Sequence, residues 1–155
     1  MSYVYRALCQ SLILYCIGVW GGAAKSIMIG VERAQRSVLK VMLGKPFRYS
    51  SDLLYKDCEL LRVRQLFILR GVMSMHKVAV ALPDHEHRLK QRVYRIPVPS
   101  SRTTFAKRHP HYLLPRLYNR VHSKIKINAL TTHELKEVLE HWLLGLGYAE
   151  TENLL

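Results

Sequence analysis

Acidic residues are scarce in this chain of 155 residues, with eleven Asp and Glu against 24 Lys and Arg and a formal net charge of +13. An excess of that size repels itself in the compact state and favours a polyanionic partner. Cysteine is scarcer still. The three thiols Cys9, Cys16 and Cys58 form no CxxC pair and no Cys/His ligand spacing. They give no support to a disulfide framework or a zinc site, and reduced, intracellular thiols are the expectation. Long apolar runs are missing too. Residues 8–19 come nearest, but Gln10 and Ser11 interrupt them and the run is too short for a comfortable transmembrane helix. With Arg6 before it and Gly21-Gly22-Ala23-Ala24 after it, the run has the outline of a signal peptide, yet no disulfide pattern downstream suits secretion. No membrane partner is expected, and the location is the cytoplasm or the nucleus.

Catalytic patterns are absent as well. Nucleophilic catalysis needs a Ser or Cys with a His and an orienting acid, and nothing resembles a nucleophile elbow. Gly21-Gly22 lies outside any GxGxxG or GxxxxGK[ST] context, so no phosphate-cradling glycine loop is present. No pair of carboxylates sits on an apolar strand-turn-strand, as metal-assisted phosphoryl transfer would require. The run Asp84-His85-Glu86-His87 lacks the HExxH spacing that puts two imidazoles on one helix face, and His109-Pro110-His111 is no better. Both read as polar loops. No catalytic residue, metal site or cofactor is expected, and there is no internal repeat or low-complexity run.

What is present is enough for a folded domain. The hydrophobic fraction is 49%, ordinary for a globular protein, and a chain of this length buries roughly 70% of its unfolded surface. Helical spacing of apolar residues recurs along the first half. Residues 3–20 read as a helix that is apolar nearly all round, which places it centrally in a bundle. Ser26 is the expected N-cap of the next helix, with Val31, Ala34, Val38 and Met42 as its apolar stripe and Arg33, Arg36 and Lys40 on the other side. A short helix over 52–57 follows. Residues 62–81 form a third long helix, with Val63, Leu66, Phe67, Leu69, Val72, Met73 and Val78 inward and Arg62, Arg64, Arg70 and Lys77 outward. Thr131 to Glu134 offers a capping pattern into a last helix through residue 144. There Leu135, Val138, Leu139 and Trp142 face inward, and a short acidic end follows.

Between them lies a different kind of chain. Residues 84–126 hold eleven Lys or Arg against two acids, whereas residues 1–83 hold twelve against four and residues 127–155 one against five. Pro97, Pro99, Pro110 and Pro115 forbid a continuous helix or central strand there, so extended pieces and turns are expected, with at most a helical turn near residues 117–119. An irregular stretch of about 45 residues is either functional or disordered. Unpaired ions cannot be buried at tolerable cost, so these charges lie on a surface. A positive surface threaded with aromatics suits a phosphate backbone with exposed bases. Arg88, Arg92, Arg95, Arg102, Lys107, Arg108, Arg116 and Arg120 are the candidates for phosphates, and Tyr94 and Tyr112 for stacking. Arg33, Arg36 and Lys40 extend the track. The competing reading of each is a solvated surface charge.

The expected fold class is therefore mainly α: a small helical bundle over residues 1–83, a long irregular, basic, proline-rich segment over 84–130, and a C-terminal helix with an acidic tail over 131–155. Three features, taken in order, go further. They are Tyr15-Cys16-Ile17-Gly18-Val19-Trp20-Gly21-Gly22, leading to a helix with Ala34-Gln35-Arg36 and Leu39; then Arg95-Ile96-Pro97, Arg102-Thr103, Tyr112 and Leu117-Tyr118-Asn119; then the closing amphipathic helix. Together they resemble the C-terminal thumb and post-thumb region of the reverse transcriptase of non-LTR (LINE, jockey-like) retrotransposons, over essentially the whole chain. The family usually has Gly where this chain has Cys16, Leu-Pro where it has Val121-His122, and a tyrosine-containing Thr-Arg motif where it has Lys90-Gln91-Arg92.

The resemblance implies a thumb-like bundle that is a non-catalytic, nucleic-acid-binding part of an RNA-directed DNA polymerase. It would hold RNA or an RNA–DNA duplex by its backbone and pack on a polymerase palm. The family's metal-binding aspartates would lie upstream of Met1. The alternatives are a truncated gene model of a full reverse transcriptase, or a degenerate relic that serves only as a protein-interaction module.

Overall fold

The computed structural model describes residues 2–81, 95–125, 127 and 130–155. Among them the chain is mainly helical and forms no β-strand, in line with the expected mainly-α class. Helix α1 (Ser2–Tyr5) runs through a π-helical turn (Arg6–Gln10) into α2 (Ser11–Leu14), and α3 (Ile17–Trp20) follows. The longer elements are α4 (Lys25–Met42), α5 (Ser51–Cys58) and α6 (Val63–Ala81). The later part contains α7 (Thr104–Arg108), α8 (Pro110–His122), α9 (Thr132–Gly145) and α10 (Tyr148–Leu154).

The central element is α6, not the first helix. Val63, Leu66, Phe67, Ile68 and Val72 of α6 are at most 1% exposed, and α6 packs against α3, α8 and α9. Burying each such side chain is worth about 1.5–3 kcal/mol. With α6 in the middle, the apolar N-terminal run is laid on the outside. It is broken at Cys16, whose φ of 51° lies in the left-handed region. Val4, Leu8, Leu12, Tyr15 and Val19 are each at least 60% exposed, while Tyr5 and Ile17 are buried.

Helix α4 also turns a different face inward from the one its apolar spacing suggests. Met28, Glu32, Gln35 and Leu39 are buried, whereas Ala34 and Val38 of the expected stripe are exposed. Its N-cap is Ala24 rather than Ser26, with no side-chain cap. The rotation follows from what the polar residues find. Gln35 Nε2 donates to the Tyr5 hydroxyl and to the Leu61 carbonyl, both at 2.9 Å. Its Oε1 accepts from the Tyr55 hydroxyl at 2.7 Å and from the Val63 N–H at 3.2 Å. One buried amide thus uses both donors and both acceptor sites to join α1, α4, α5 and the start of α6. Around it Tyr5, Leu39, Leu54, Tyr55 and Leu60 form a small hydrophobic cluster.

The basic segment is largely helical from Thr104 onward, contrary to the expectation of irregular chain. Pro110 occupies the first helical turn of α8, where its missing N–H has no partner to lose, and the His109 side chain accepts from the His111 N–H. Pro115 lies inside the helix and removes one hydrogen bond. Against that, Leu113, Pro115, Leu117, Tyr118 and Val121 are all buried, and their packing outweighs the lost bond. Residues 95–103 are non-helical, as expected.

The main hydrophobic cluster draws on all three stretches of the sequence, from Ile17 through Phe67, Leu117 and Leu139 to Leu154. Glycines permit the closest approaches: a Cβ on Gly21 would overlap the Phe67 ring, and one on Gly22 would meet Leu113. The capping box of α9 is the one expected. Thr131 N–H donates to Glu134 Oε2 at 2.8 Å, and Thr131 Oγ1 accepts from the Glu134 N–H at 3.3 Å. Leu135, Leu139 and Leu143 form the buried side of α9; Val138 is 42% exposed and Trp142 half-buried. The acidic end is itself helical (α10), and Glu150 accepts from the Gly147 N–H at 2.8 Å. No described helix is long and apolar enough to cross a membrane.

Candidate nucleic-acid interface

Helix α4 organises the cationic surface. At about 100° per residue, Lys25, Arg33, Arg36 and Lys40 fall within an arc of about 80°, spread over about 22 Å of axis. This stripe borders the buried face of Met28, Glu32, Gln35 and Leu39 without coinciding with it. A cleft opens at each end.

The first cleft is lined by Arg33, Arg36, Lys40, Lys45 and Phe47 with Val41, Ser37 and Ser51. Lys40 Nζ donates to the Phe47 carbonyl at 2.5 Å and lies 5.6 Å from the centroid of its ring. The ring is nevertheless 90% exposed. Lys45 pairs with Asp57 at 3.1 Å and sits 4.6 Å from the Tyr49 ring centroid. The Asp57 carboxylate first, and Tyr49 second, raise the Lys45 pKa. Arg33 and Arg36 form no salt bridge among the described residues.

The second cleft, about 320 Å3, lies where the chain enters α4 and meets α7, α8 and α10. Its side chains include Lys25, Arg64, Thr104, Lys107, Arg108, Arg116 and Glu152. Arg64 was expected on the exposed face of its helix but is only 5% exposed. Its Nη1 donates to the carbonyls of Gly21 and Ala23, both at 3.1 Å. Its Nε lies 3.1 Å from Glu152 Oε1; the pair is ionic, its angle falling short of a hydrogen bond. Glu32 completes this buried group by accepting from the Tyr148 hydroxyl at 3.3 Å. Burial first, then repulsion from Glu152, raises the Glu32 pKa.

The other cations of the second cleft are less engaged. Lys25 Nζ lies 5.1 Å from the Tyr148 ring centroid, and the Arg116 guanidinium 6.0 Å from that of Tyr112. Such contacts are worth about 0.5–1 kcal/mol at exposed sites, too little to neutralise a charge. Lys107 and Arg108 close α7, whose N-cap Thr103 accepts from the Ala106 N–H, and form no salt bridge among the described residues.

Of the residues singled out in the sequence, Arg33, Arg36 and Lys40 thus meet in one cleft, and Lys107, Arg108 and Arg116 in the other. Tyr112 lies beside the second under the Arg116 guanidinium. Arg95 and Arg102 are exposed and line neither cleft. Arg120 Nη1 donates to the carbonyls of Asn153 at 3.3 Å and Leu154 at 2.9 Å, so it holds the end of α10. Burial, with Arg116 nearby, lowers its pKa. Arg88, Arg92 and Tyr94 lie outside the described residues, as does the run Asp84-His85-Glu86-His87. Among the described residues no cluster of His, Cys, Asp and Glu could hold a metal ion.

Three participants escaped the sequence reading: Lys25, Lys45 and Phe47. Phe47 carried a signal, an aromatic between Pro46 and Arg48 in a breaker loop. Lys25 carried none, because Lys107 and Arg108, which share the cleft with it, lie about 80 residues away in the chain. Both clefts present cations and hydrogen-bond donors of the kind that bind anions. Compared with protein-family models, curated proteins and solved structures, the chain matches none.

Proposed function

We propose that this protein binds nucleic acid by its phosphate backbone, without catalysing a reaction, as the thumb and post-thumb part of a non-LTR retrotransposon reverse transcriptase. The supporting observation is the α4 stripe. Four cations share one side of a single helix, and its two ends open into clefts that gather Lys45 with Phe47 and Lys107, Arg108 with Arg116. The 22 Å of the stripe corresponds to about six duplex steps at about 3.4 Å each. Phosphates sit against Arg33, Arg36, Lys107, Arg108 and Arg116. The exposed Phe47 ring supplies a stacking platform worth about 1–3 kcal/mol per base. The partner is RNA or an RNA–DNA duplex, met in the cytoplasm or nucleus.

Counterion release gives the test. With about five phosphate contacts, the slope of log affinity against log salt is near −4, measured by fluorescence anisotropy on a labelled RNA and an RNA–DNA hybrid. Arg33→Ala with Arg36→Ala flattens it by about 2. Affinity that ignores salt, or an unchanged slope in the double variant, defeats the proposal.

A second reading rests on a separate observation. Val4, Leu8 and Leu12 follow one another at helical spacing before the break at Cys16, and all three are exposed. An apolar face of that kind marks a protein-contact surface, as expected of an interaction module or of a thumb packed on a palm. Size-exclusion chromatography discriminates: a clean monomer at high concentration counts against it.

A further inference from the structure

The second cleft has more charge than a passing strand needs. With Arg64 and Glu152 paired to each other, four cations remain around one 320 Å3 space: Lys25, Lys107, Arg108 and Arg116. They come from three separate elements, α4, α7 and α8; only Lys107 and Arg108 are sequence neighbours, and the fold brings Lys25 and Arg116 to them. Like charges gathered in this way repel unless a counter-charge enters. The lining also includes Thr104 and Ala24, and α4 begins here without a side-chain cap or an acid in its first turn.

We infer that this cleft is a site for a phosphate monoester dianion, in particular the terminal phosphate of a nucleic-acid strand whose backbone lies along α4. A phosphodiester carries one negative charge and continues on both sides. A terminal phosphate carries close to two, offers three oxygens to converging donors, and ends in a concave site as an internal phosphate does not. The strand assignment rests on the proposed nucleic-acid binding; the phosphate site itself does not. The same chemistry is offered by a free phosphate or pyrophosphate, and the experiment separates the two sources.

A short fluorescent RNA in 5′-phosphorylated, 3′-phosphorylated and unphosphorylated forms is titrated with the full chain by anisotropy, with pyrophosphate-dependent thermal shifts measured in parallel. One phosphorylated form binds about tenfold more tightly than the unphosphorylated one. Lys107→Ala with Arg108→Ala abolishes that preference, whereas Arg33→Ala with Arg36→Ala weakens all forms alike and keeps it. Far-UV circular dichroism confirms that both double variants are folded. If the three RNAs bind equally and pyrophosphate gives no shift, the site is refuted while backbone binding stands. If no RNA binds, yet pyrophosphate stabilises the native chain and not the Lys107/Arg108 variant, the site stands for a free phosphate and the nucleic-acid reading falls. A preference that survives Lys107→Ala with Arg108→Ala places the phosphate elsewhere and overturns the inference.

Discussion

The side-chain amide of Asn119 pairs with both backbone polar groups of Ile96: Nδ2 donates to the Ile96 carbonyl and Oδ1 accepts from its N–H, each at 2.8 Å. An amide here does the work of a neighbouring strand. It fastens the extended segment of Arg95, Ile96 and Pro97 to α8 and lets the Ile96 side chain enter the main core. Two stretches 23 residues apart in the chain are thus in direct contact.

Asn119→Ala is expected to lose about 1–3 kcal/mol, from two hydrogen bonds at about 0.5–1.5 kcal/mol each. Asn119→Asp keeps the acceptor but turns a carboxylate oxygen against the Ile96 carbonyl, so it should lose at least as much as Asn119→Ala. Urea denaturation gives the stabilities, and hydrogen exchange at the Ile96 amide gives the local effect. Unchanged protection of that amide in the Ala variant would contradict the clamp.

Gln35 is the larger liability. Gln35→Leu keeps the volume but strands the hydroxyls of Tyr5 and Tyr55, the Leu61 carbonyl and the Val63 N–H. A buried polar group without a partner costs about 1–3 kcal/mol, so a loss of about 3 kcal/mol or more is expected in chemical denaturation. A variant as stable as the parent would mean that water reaches these groups.

Cys16 sits at φ 51°, where a Cβ costs roughly 1–2 kcal/mol. Gly removes that cost but adds about 0.5–1 kcal/mol of unfolded-state entropy. Cys16→Gly should therefore raise the melting temperature slightly and Cys16→Val should lower it, both measured under reducing conditions. Gly21→Ala, which drives a methyl into the Phe67 ring, should lose about 1–3 kcal/mol through overpacking. Equal melting temperatures for Cys16→Gly and Cys16→Val would refute the strain.

Glu32 has a raised pKa, from burial first and Glu152 second. A carboxyl that holds its proton more tightly when folded loses stability as pH rises from its ordinary value through the folded one. Glu32→Gln removes the charge and keeps an oxygen for the Tyr148 hydroxyl. Its melting temperature should exceed the parent's at pH 7, and the gap should shrink as pH falls through the Glu32 titration. A gap that widens on acidification would reverse the sign and show that attraction to Arg64 outweighs burial.

Helix positions were legible where local rules suffice. Thr131 and Glu134 announce α9 by a capping box, and α6 is legible from the helical spacing of Val63, Leu66, Phe67 and Val72. The buried face of α4 was not legible, because Glu32 and Gln35 read as polar until Tyr148, Tyr5 and Tyr55 arrive from other parts of the chain. Nor was α8, since prolines at 110 and 115 argue against a helix unless one knows how much apolar surface lies beneath Leu113, Leu117 and Val121. In the candidate interface, Arg33, Arg36 and Lys40 could be grouped from one helix alone. Their continuation to Lys25, Lys107, Arg108 and Arg116 could not.

By itself the sequence determined the helical class, the unbalanced positive charge and the candidate cations of the α4 side, since periodicity, capping and charge are local properties of residues and their spacing. Only the tertiary structure decided which helix is central, which polar groups are buried with partners, and where cations from α4, α7 and α8 share one cleft. Those outcomes depend on contacts between residues far apart in the chain. Such contacts form only when the whole set of apolar faces and buried amides is satisfied together.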